Sequence, residues 1–459
     1  MNSLDILILG LLVITTVYAI VHSNRGNGAF TISISLLSVL VVIQLFWKGF
    51  YWHYIPAYLQ IGLLIIIVYV KMPSHRKLQH ISLGVLLVVA MVPWAIFLPV
   101  PVLTKPVGKY AVGTQVFRWV DSTRTEQITQ DPFDKRNVIV QAWYPARRDV
   151  KGTHSLYLDG LTNLPPKVSV LPSFLMDHYD QIDTYAVANA TPAKARKKWP
   201  VVLFLPGYGA ARAFYTSLAV GLASHGYVVF CLDHPYESAI TQLANGKLAT
   251  TIENFEQGAP DRLGFMKNRL DIRVADVQFV LNQLENKNSF TTTFFTSLDL
   301  NRIGIAGHSL GGATGAAAMA HDSRIKAAVN IDGTLYGGLP KSTVHRPFLL
   351  VESNKGEIGH FARYEAGNQS LFKHFGGGYR YELEDADHYS FTDVPLLLAP
   401  PARLLAGYLL SLGQQSTKTH TATVNLLDAF FDHTLSGNPS RIDAVANRYG
   451  SIVRKQITY

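Results

Sequence analysis

The sequence predicts an α/β fold with a mostly parallel sheet flanked by helices, preceded by a transmembrane segment of four helices. Three observations predict it. Long uncharged apolar stretches fill the first hundred residues, the remainder alternates short apolar runs with amphipathic segments, and one apolar run ends in a Gly-x-Ser-x-Gly turn.

Hydrophobic residues make up 48% of the 459-residue chain and charged residues only 16%, and the excess is uneven. Between Asp5 and Lys105 the charged residues are Arg25, Lys48, Lys71, Arg76 and Lys77, which leaves uncharged stretches at 6–24, 26–47, 49–70 and 78–104. A bilayer core needs about 20 mostly apolar residues per helix. This segment, 1–104, is therefore read as helices near 4–22, 29–47, 54–71 and 80–100, with the catalytic part at 105–459. A cleaved signal peptide is disfavoured for the first stretch, because residues 1–5 carry an acid and no basic group. Trp47, Tyr51, Trp52 and Tyr54 cluster where rings prefer the headgroup level. Arg25, Lys71, Arg76 and Lys77 fall on one side of such a bundle, and Lys48, Lys105 and Lys109 on the other. Cytoplasmic loops carry the basic excess, so the catalytic part is expected outside the cytoplasm, as in a multi-pass bacterial inner-membrane protein.

The net charge of +9 divides unequally, with +6 of it in residues 1–109. The rest is too close to neutral for nucleic-acid binding, which rests on many phosphate contacts. The single cysteine, Cys231, excludes a disulfide within the chain.

Strand candidates follow at 112–120, 137–144, 201–205, 228–232, 302–306, 326–331, 347–351 and 379–384. From 201 onward they are nearly all apolar, as strands covered on both faces are. Between them lie helical patterns such as Leu263, Met266, Leu270, Val274, Val277, Leu281 and Leu284. The first two strands have no helix between them and are expected to form an antiparallel hairpin at the sheet edge. The connection 150–198 breaks the alternation with four prolines and scattered apolar residues, among them Phe174 and Val170, and reads as a lid, an interface loop or an excursion packed on the sheet edge.

The run 302–306 ends in Gly307-His308-Ser309-Leu310-Gly311-Gly312 before a small-residue helix. A nucleophile in a sharp strand-to-helix turn needs glycine two residues before and two after it, because side chains there collide with backbone. Serine also needs a base oriented by an acid. Of sixteen histidines, His388 follows a late strand and keeps the chain order serine, acid, histidine. His308 is pointed away by the elbow, and His360 and His374 fall in a less patterned segment. For the acid, Asp332 and Glu352 end consecutive strands and stand level, while Asp385 and Asp387 reach His388 only through an awkward local turn. Two backbone donors are expected to hold the oxyanion: Leu310, after the nucleophile, and Tyr208 in the turn Pro206-Gly207-Tyr208-Gly209. Asp233, His234 and Glu237 are close in sequence, but an extended segment would scatter them, so no metal or other cofactor is expected.

At these residues the chain resembles the plasma-type platelet-activating factor acetylhydrolases and their bacterial relatives, members of the α/β-hydrolase superfamily. The similarity covers about 110–435 and is closest in 204–238, in Ile303 through Thr314, and in Asn330-Ile331-Asp332-Gly333. The resemblance implies a triad of Ser309, Asp332 and His388, which favours Asp332 over Glu352, and oxyanion donors Tyr208 and Leu310. The family usually has histidine where this chain has Pro206, and its secreted members lack the helical segment. The function this implies is a membrane-anchored serine ester hydrolase acting on lipid esters, such as phospholipids with short or oxidised acyl chains. The alternatives are a general carboxylesterase akin to dienelactone or polyester hydrolases, and an inactive hydrolase-fold membrane sensor. The expected partners are the bilayer and a lipid or small-molecule ester.

Overall fold

The computed structural model describes residues 3–22, 28–69, 76–147, 149–150, 152–168, 171–194, 198–252, 261–355 and 361–457. Arg25, Lys71, Ser74, Val170, Arg196, Lys197 and His360 lie outside the described residues. The chain divides into two compact units.

The first unit holds four apolar helices, α1 (Ser3–Val21), α2 (Gly28–Lys48), α3 (Ile55–Tyr69) and α4 (Arg76–Ile96). Ile8, Leu12, Leu37, Tyr54, Leu64, Leu83 and Ala90 are sealed inside it, while Ile32, Phe46, Val39 and Val88 face outward. Helices apolar on every face suit an apolar solvent. Three of them, Ser3–Val21, Gly28–Lys48 and Lys77–Ile96, are long and apolar enough to cross a membrane, and the apolar stretch Trp52–Ile67 is shorter. Helix α4 stops at Ile96, before the end expected near residue 100, because Pro99 and Pro101 disfavour helical backbone in the residues that precede them.

Polar groups set the register of the bundle. Tyr54 donates to Asp5 Oδ1 (2.8 Å), Tyr58 to Gln44 Oε1 (2.8 Å), and Gln60 Nε2 to Thr16 Oγ1 (3.1 Å) and the Leu83 carbonyl (3.2 Å). The Tyr58 and Gln60 bonds join α3 to the other helices, Tyr54 just before α3 reaches α1, and polar side chains tie helices in this way where burial alone gives no preference. Phe174–His178 and Leu397–Leu404 belong to the same unit. His178 Nε2 lies 2.9 Å from the Phe50 carbonyl and Phe174 meets Trp52 edge-on at 5.3 Å.

The second unit is built on a ten-stranded sheet. Its strands are β1 (Ala111–Thr125), β2 (Lys135–Ala146), β3 (Ala186–Ala188), β4 (Trp199–Leu205), β5 (Val228–Asp233), β6 (Leu298–His308), β7 (Ile325–Ile331), β8 (Phe348–Lys355), β9 (Tyr379–Asp387) and β10 (Ile452–Arg454). They lie in the order β10-β9-β8-β7-β6-β4-β5-β2-β1-β3. The run from β5 through β4, β6, β7 and β8 to β9 is parallel, and β1 and β2 form the antiparallel hairpin. Residues of β4 and β5 are buried throughout, as the near-continuous apolar runs require. Helices α5 (Thr216–His225) and α10 (Ser416–Ser436) pack as one pair, and α6 (Arg262–Glu285) and α7 (Leu310–His321) as another. Between them in the chain come α8 (Phe361–Phe375) and α9 (Pro400–Leu410).

The 150–198 connection carries β3, which pairs parallel to β1 at the sheet edge, and Tyr157, Leu158, Val168, Tyr179 and Ile182 are buried. Of the apolar stripe expected on α6, Met266, Leu270, Val277, Leu281 and Leu284 are buried, and charged residues share that buried side. Leu263 is exposed, whereas Arg269, Arg273 and Asp276 are buried at the same three- and four-residue spacing. Of these, Arg273 reaches the Pro206 carbonyl in the turn after β4.

Candidate active site

Register brings the ends of three parallel strands together. Gly307 of β6 lies between Leu205 of β4 and Asn330 of β7, so the chain leaves all three strands at one level, into Pro206, Ser309 and Asp332. Ser309 adopts φ 56° and ψ −129°, a backbone conformation that costs a non-glycine residue about 1–3 kcal/mol. The Ile331 carbonyl accepts from Ser309 N (2.8 Å), and the Ser309 carbonyl accepts from the amides of Gly312 and Ala313. A side chain at Gly307 would come within 2.4 Å of Gly311 backbone, and one at Gly311 within 2.2 Å of the Leu205 carbonyl. These contacts give the motif's glycines their physical reason. The Ser309 hydroxyl makes no cap bond to α7 and stays available at the positive end of that helix.

Asp332 leaves β7 with φ 52° and is 6% exposed. The turn after it is locked by Asn330, whose Oδ1 accepts from Gly333 N (3.0 Å) and whose Nδ2 donates to the Gly333 carbonyl (2.8 Å). Asp332 Oδ1 accepts from Ser353 N (3.0 Å), and Oδ2 from Ser353 Oγ (2.8 Å). Oδ2 also lies 2.8 Å from His388 Nδ1. Burial pushes the Asp332 carboxyl up, but the His388 hydrogen bond and charge and the Ser353 amide outweigh it and hold the group below the usual carboxylate range. The carboxylate claims the Nδ1 proton and leaves Nε2 with a lone pair, the form a general base needs.

His388 opens a short helical turn, His388–Phe391. Asp387 caps that turn, accepting from the amides of Tyr389, Ser390, Gly413 and Gln414. It is thereby committed to holding the histidine backbone. Asp385 pairs with Lys418. Glu352 is bound by Arg380 at 3.0 and 3.1 Å and by the Tyr364 hydroxyl. Of the carboxylates weighed from sequence, Asp332 is the one the structure pairs with His388.

The turn after β4 is held from two sides. Arg273 Nη1 donates to the Pro206 carbonyl (2.8 Å), and its Nε to Glu237 Oε2 (2.8 Å). Gly207 N donates to the Tyr215 hydroxyl (3.0 Å), which lies 2.8 Å from His308 Nδ1. A Cβ on Gly207 would sit 3.2 Å from that of Ser309, so the turn carrying Tyr208 runs directly against the serine. The Leu310 amide begins α7 and has no acceptor within the helix. His308 is buried with its ring 4.4 Å from that of His388. Burial and the neighbouring His388 hold it well below the imidazole range, so it stays neutral.

Sequence reasoning did not assign roles to Tyr215, Arg273, Asn330 and Ser353. Asp233, His234 and Glu237 are all engaged, with Arg212, with Asp276 and with Arg273 respectively.

Residues 100–398 match the model of the family described as platelet-activating factor acetylhydrolase, isoform II. The chain belongs to that family. Among curated proteins it is 37% identical over 139 residues, 30% of this chain and 32% of the other, to a protein of Arthroderma benhamiae described as "Probable 1-alkyl-2-acetylglycerophosphocholine esterase". It is 26% identical over 226 residues, 43% of this chain and 49% of the other, to platelet-activating factor acetylhydrolase of Cavia porcellus. The chain thus spans about a third to a half of the length of these relatives. Among solved structures, a ferulic acid esterase from Streptomyces cinnamoneus matches 78% of this chain and 99% of its own, with a TM-score of 0.64 and 26% identity. The family match includes the Ser309, Asp332 and His388 positions and ends in the first residues after the turn that carries His388.

Proposed function

We propose that this chain is a membrane-anchored serine ester hydrolase in which Ser309 is the nucleophile, His388 the base and Asp332 the acid. The carrying observation is the 2.8 Å pairing of His388 Nδ1 with Asp332 at the strand edge where Ser309 occupies its strained turn. In this mechanism His388 Nε2 takes the proton from Ser309 Oγ as the oxygen attacks the ester carbonyl. The amides of Tyr208 and Leu310 hold the oxygen that becomes negative, a contribution of about 3–4 kcal/mol per donor in comparable sites. His388 then gives its proton to the departing alkoxide, leaving an acyl group on Ser309. Water attacks that acyl group while His388 takes its proton, and the carboxylic acid leaves with Ser309 restored.

The proposed substrates are lipid esters, such as phospholipids with short or oxidised acyl chains. The family, with relatives named for an acetylated glycerophosphocholine, supports that class. The apolar helices support a multi-pass bilayer anchor, and the distribution of Lys and Arg in the N-terminal segment favours the catalytic unit lying on the extracytoplasmic side of a bacterial inner membrane. A second reading, a general carboxylesterase, is favoured by the likeness to a ferulic acid esterase over nearly the whole of that enzyme. A fluorophosphonate probe on the full-length protein tests the nucleophile. Labelling and ester turnover are expected to vanish in Ser309→Ala, with turnover falling about a millionfold. Labelling that persists at another serine overturns the assignment. An ester panel graded by acyl length then separates the two substrate readings.

A further inference from the structure

The hydrogen bonds that end on the Asp332 carboxylate divide unequally between its oxygens. Oδ1 accepts from Ser353 N (3.0 Å). Oδ2 lies 2.8 Å from His388 Nδ1 and accepts from the Ser353 hydroxyl at the same distance. Imidazole and hydroxyl therefore draw on one oxygen. Strand geometry puts Ser353 there. Ile331 of β7 is paired with Val351 of β8, and Asp332 N donates to the Val351 carbonyl (2.8 Å). Successive side chains of a strand point to opposite faces. Glu352 turns to Arg380, and Ser353, buried like it, turns to the carboxylate.

A hydrogen bond to the charged form of a group stabilises that form. The Ser353 hydroxyl thus satisfies part of the negative charge that Asp332 would otherwise direct at the His388 ring, and makes protonation of His388 less favourable. The other polar groups around the pair do not change that sign. His308 of β6, with its ring 4.4 Å from that of His388, stays neutral. Glu352 of β8 is held by Arg380 of β9 and by the Tyr364 hydroxyl of α8. In the histidine's own turn, Asp387 accepts from backbone amides and the Tyr389 ring lies 5.7 Å away. From α10, Lys418 pairs with Asp385, and His420 Nε2 lies 3.0 Å from the Thr392 carbonyl. Ser353 carries no charge, so replacing it adds none to this set and removes none.

We propose that Ser353 is a positioning residue that acts through Asp332 to lower the basicity of His388, so that the imidazole sheds its proton at a lower pH than Asp332 alone would set. This rests on the reading of Ser309, Asp332 and His388 as a triad. A base that is free of its proton earlier carries activity to more acidic conditions. Ser353→Ala removes the hydroxyl while the backbone bond from residue 353 to Oδ1 remains, which separates tuning of the base from anchorage of the acid.

The test follows the rate of fluorophosphonate labelling, beside ester turnover, in detergent-solubilised full-length protein across the acid and neutral range, with thermal unfolding as the check on folding. Labelling reports the activation of Ser309 in a single event. In Ser353→Ala the midpoint of the rising limb is expected to move up by about 0.5–1 unit, so that labelling falls about three- to tenfold below the limb and recovers above it. Ser353→Thr, which restores a hydroxyl, is expected to return the midpoint to that of the wild type. Ser353→Cys, with a weaker donor, is expected to lie between, and it carries the test where the alanine variant does not fold. A midpoint that stays in place or moves down in folded Ser353→Ala or Ser353→Cys overturns the proposal and leaves the triad standing. An equal loss at every pH, the mark of a purely structural role, does the same. Labelling that survives Ser309→Ala, or a wild-type profile with no limb, removes the triad reading itself, and the proposal with it.

Discussion

Replacing Asp332 by Asn removes one charge and keeps the shape, so its effect is set by where the new amide hydrogens point. Ser353 N donates to Oδ1, which keeps the amide oxygen on that side, and the NH2 then takes the place of Oδ2, facing His388 Nδ1 and Ser353 Oγ. Two donors cannot share that 2.8 Å gap. The imidazole responds by moving its proton to Nε2, and the nitrogen needed by Ser309 loses its lone pair. Flipping the amide restores the tautomer only by depriving the buried Ser353 amide of its acceptor. Turnover is expected to fall about 10⁴-fold, the cost of a wrong tautomer in an equivalent triad, or about 5.4 kcal/mol in barrier. Glu352→Gln behaves differently, because Glu352 holds Arg380, which keeps Glu365 as a second partner. Its cost is to stability, about 2 kcal/mol, below the 3–5 kcal/mol of an unshared buried pair, with turnover within about threefold. Steady-state hydrolysis of a water-soluble acetate ester by detergent-solubilised full-length protein, beside thermal unfolding, separates the two. If Glu352→Gln loses three decades of turnover while Asp332→Asn keeps its rate, the acid lies on β8 and the argument fails.

Three further outcomes are expected. Tyr215→Phe strips the buried Gly207 amide and His308 Nδ1 of their shared hydroxyl; the cost of about 1–3 kcal/mol per orphaned group predicts a ten- to hundredfold loss of kcat with KM nearly unchanged, and an equal loss on destabilisation alone, seen as partial unfolding, contradicts the positioning role. His388→Ala should match Ser309→Ala, and wild-type turnover should rise with pH through a single limb, because Asp332, held below the usual carboxylate range, is already ionised there; a flat profile from pH 5 to 9 with chemistry rate-limiting counts against a histidine base. Asp393 is fully buried, and burial pushes its carboxyl from 3.8 to about 7 despite hydrogen bonds from Ser217 and Thr216; a folded pKa above the unfolded one means a contribution to stability that is complete below 3.8 and lost as pH rises toward 7, so the melting temperature of the wild type relative to Asp393→Asn should fall across that window, and a constant difference contradicts the assignment.

What was legible in the sequence was local. The eight strand runs, the hairpin and the serine elbow depend on period, apolarity and glycine spacing within a few residues, and the structure contains them. Edge strands Ala186–Ala188 and Ile452–Arg454 left no pattern because three residues cannot display alternation. The choice between Asp332 and Glu352 was not local. Each ends a strand with a carboxylate, and only the lateral order β7-β8-β9 and the presence of Arg380 on β9 decide which one is free to face His388. On α6 a signal was present but read too simply. Arg269, Arg273 and Asp276 recur on the inward face, and buried charges at core spacing announce a polar network beneath. The exposed face of α9 was likewise invisible, since a leucine-rich stretch reads as core until the structure leaves it uncovered.

The departure at Pro206 links these observations. A proline has no amide hydrogen, so the turn after β4 has one donor fewer with which to anchor itself. Its carbonyl remains, and Arg273 reaches it from α6, 67 residues on in sequence, with Glu237 fixing the guanidinium from the other side. Tyr215 holds the next residue's amide and couples it to His308, the residue before the serine. The two amides proposed to hold the oxyanion thus sit on segments joined through one phenol, and neither is free to move without the other. A buried arginine whose charge is shared between a carboxylate and a carbonyl is costly to place, and here it holds the Pro206 carbonyl. Preorganisation of that kind lets backbone donors stabilise developing charge without first paying to reorient. Arg273 stands on α6 and Pro206 directly follows β4, so the support of this turn comes in part from regular elements of the hydrolase unit.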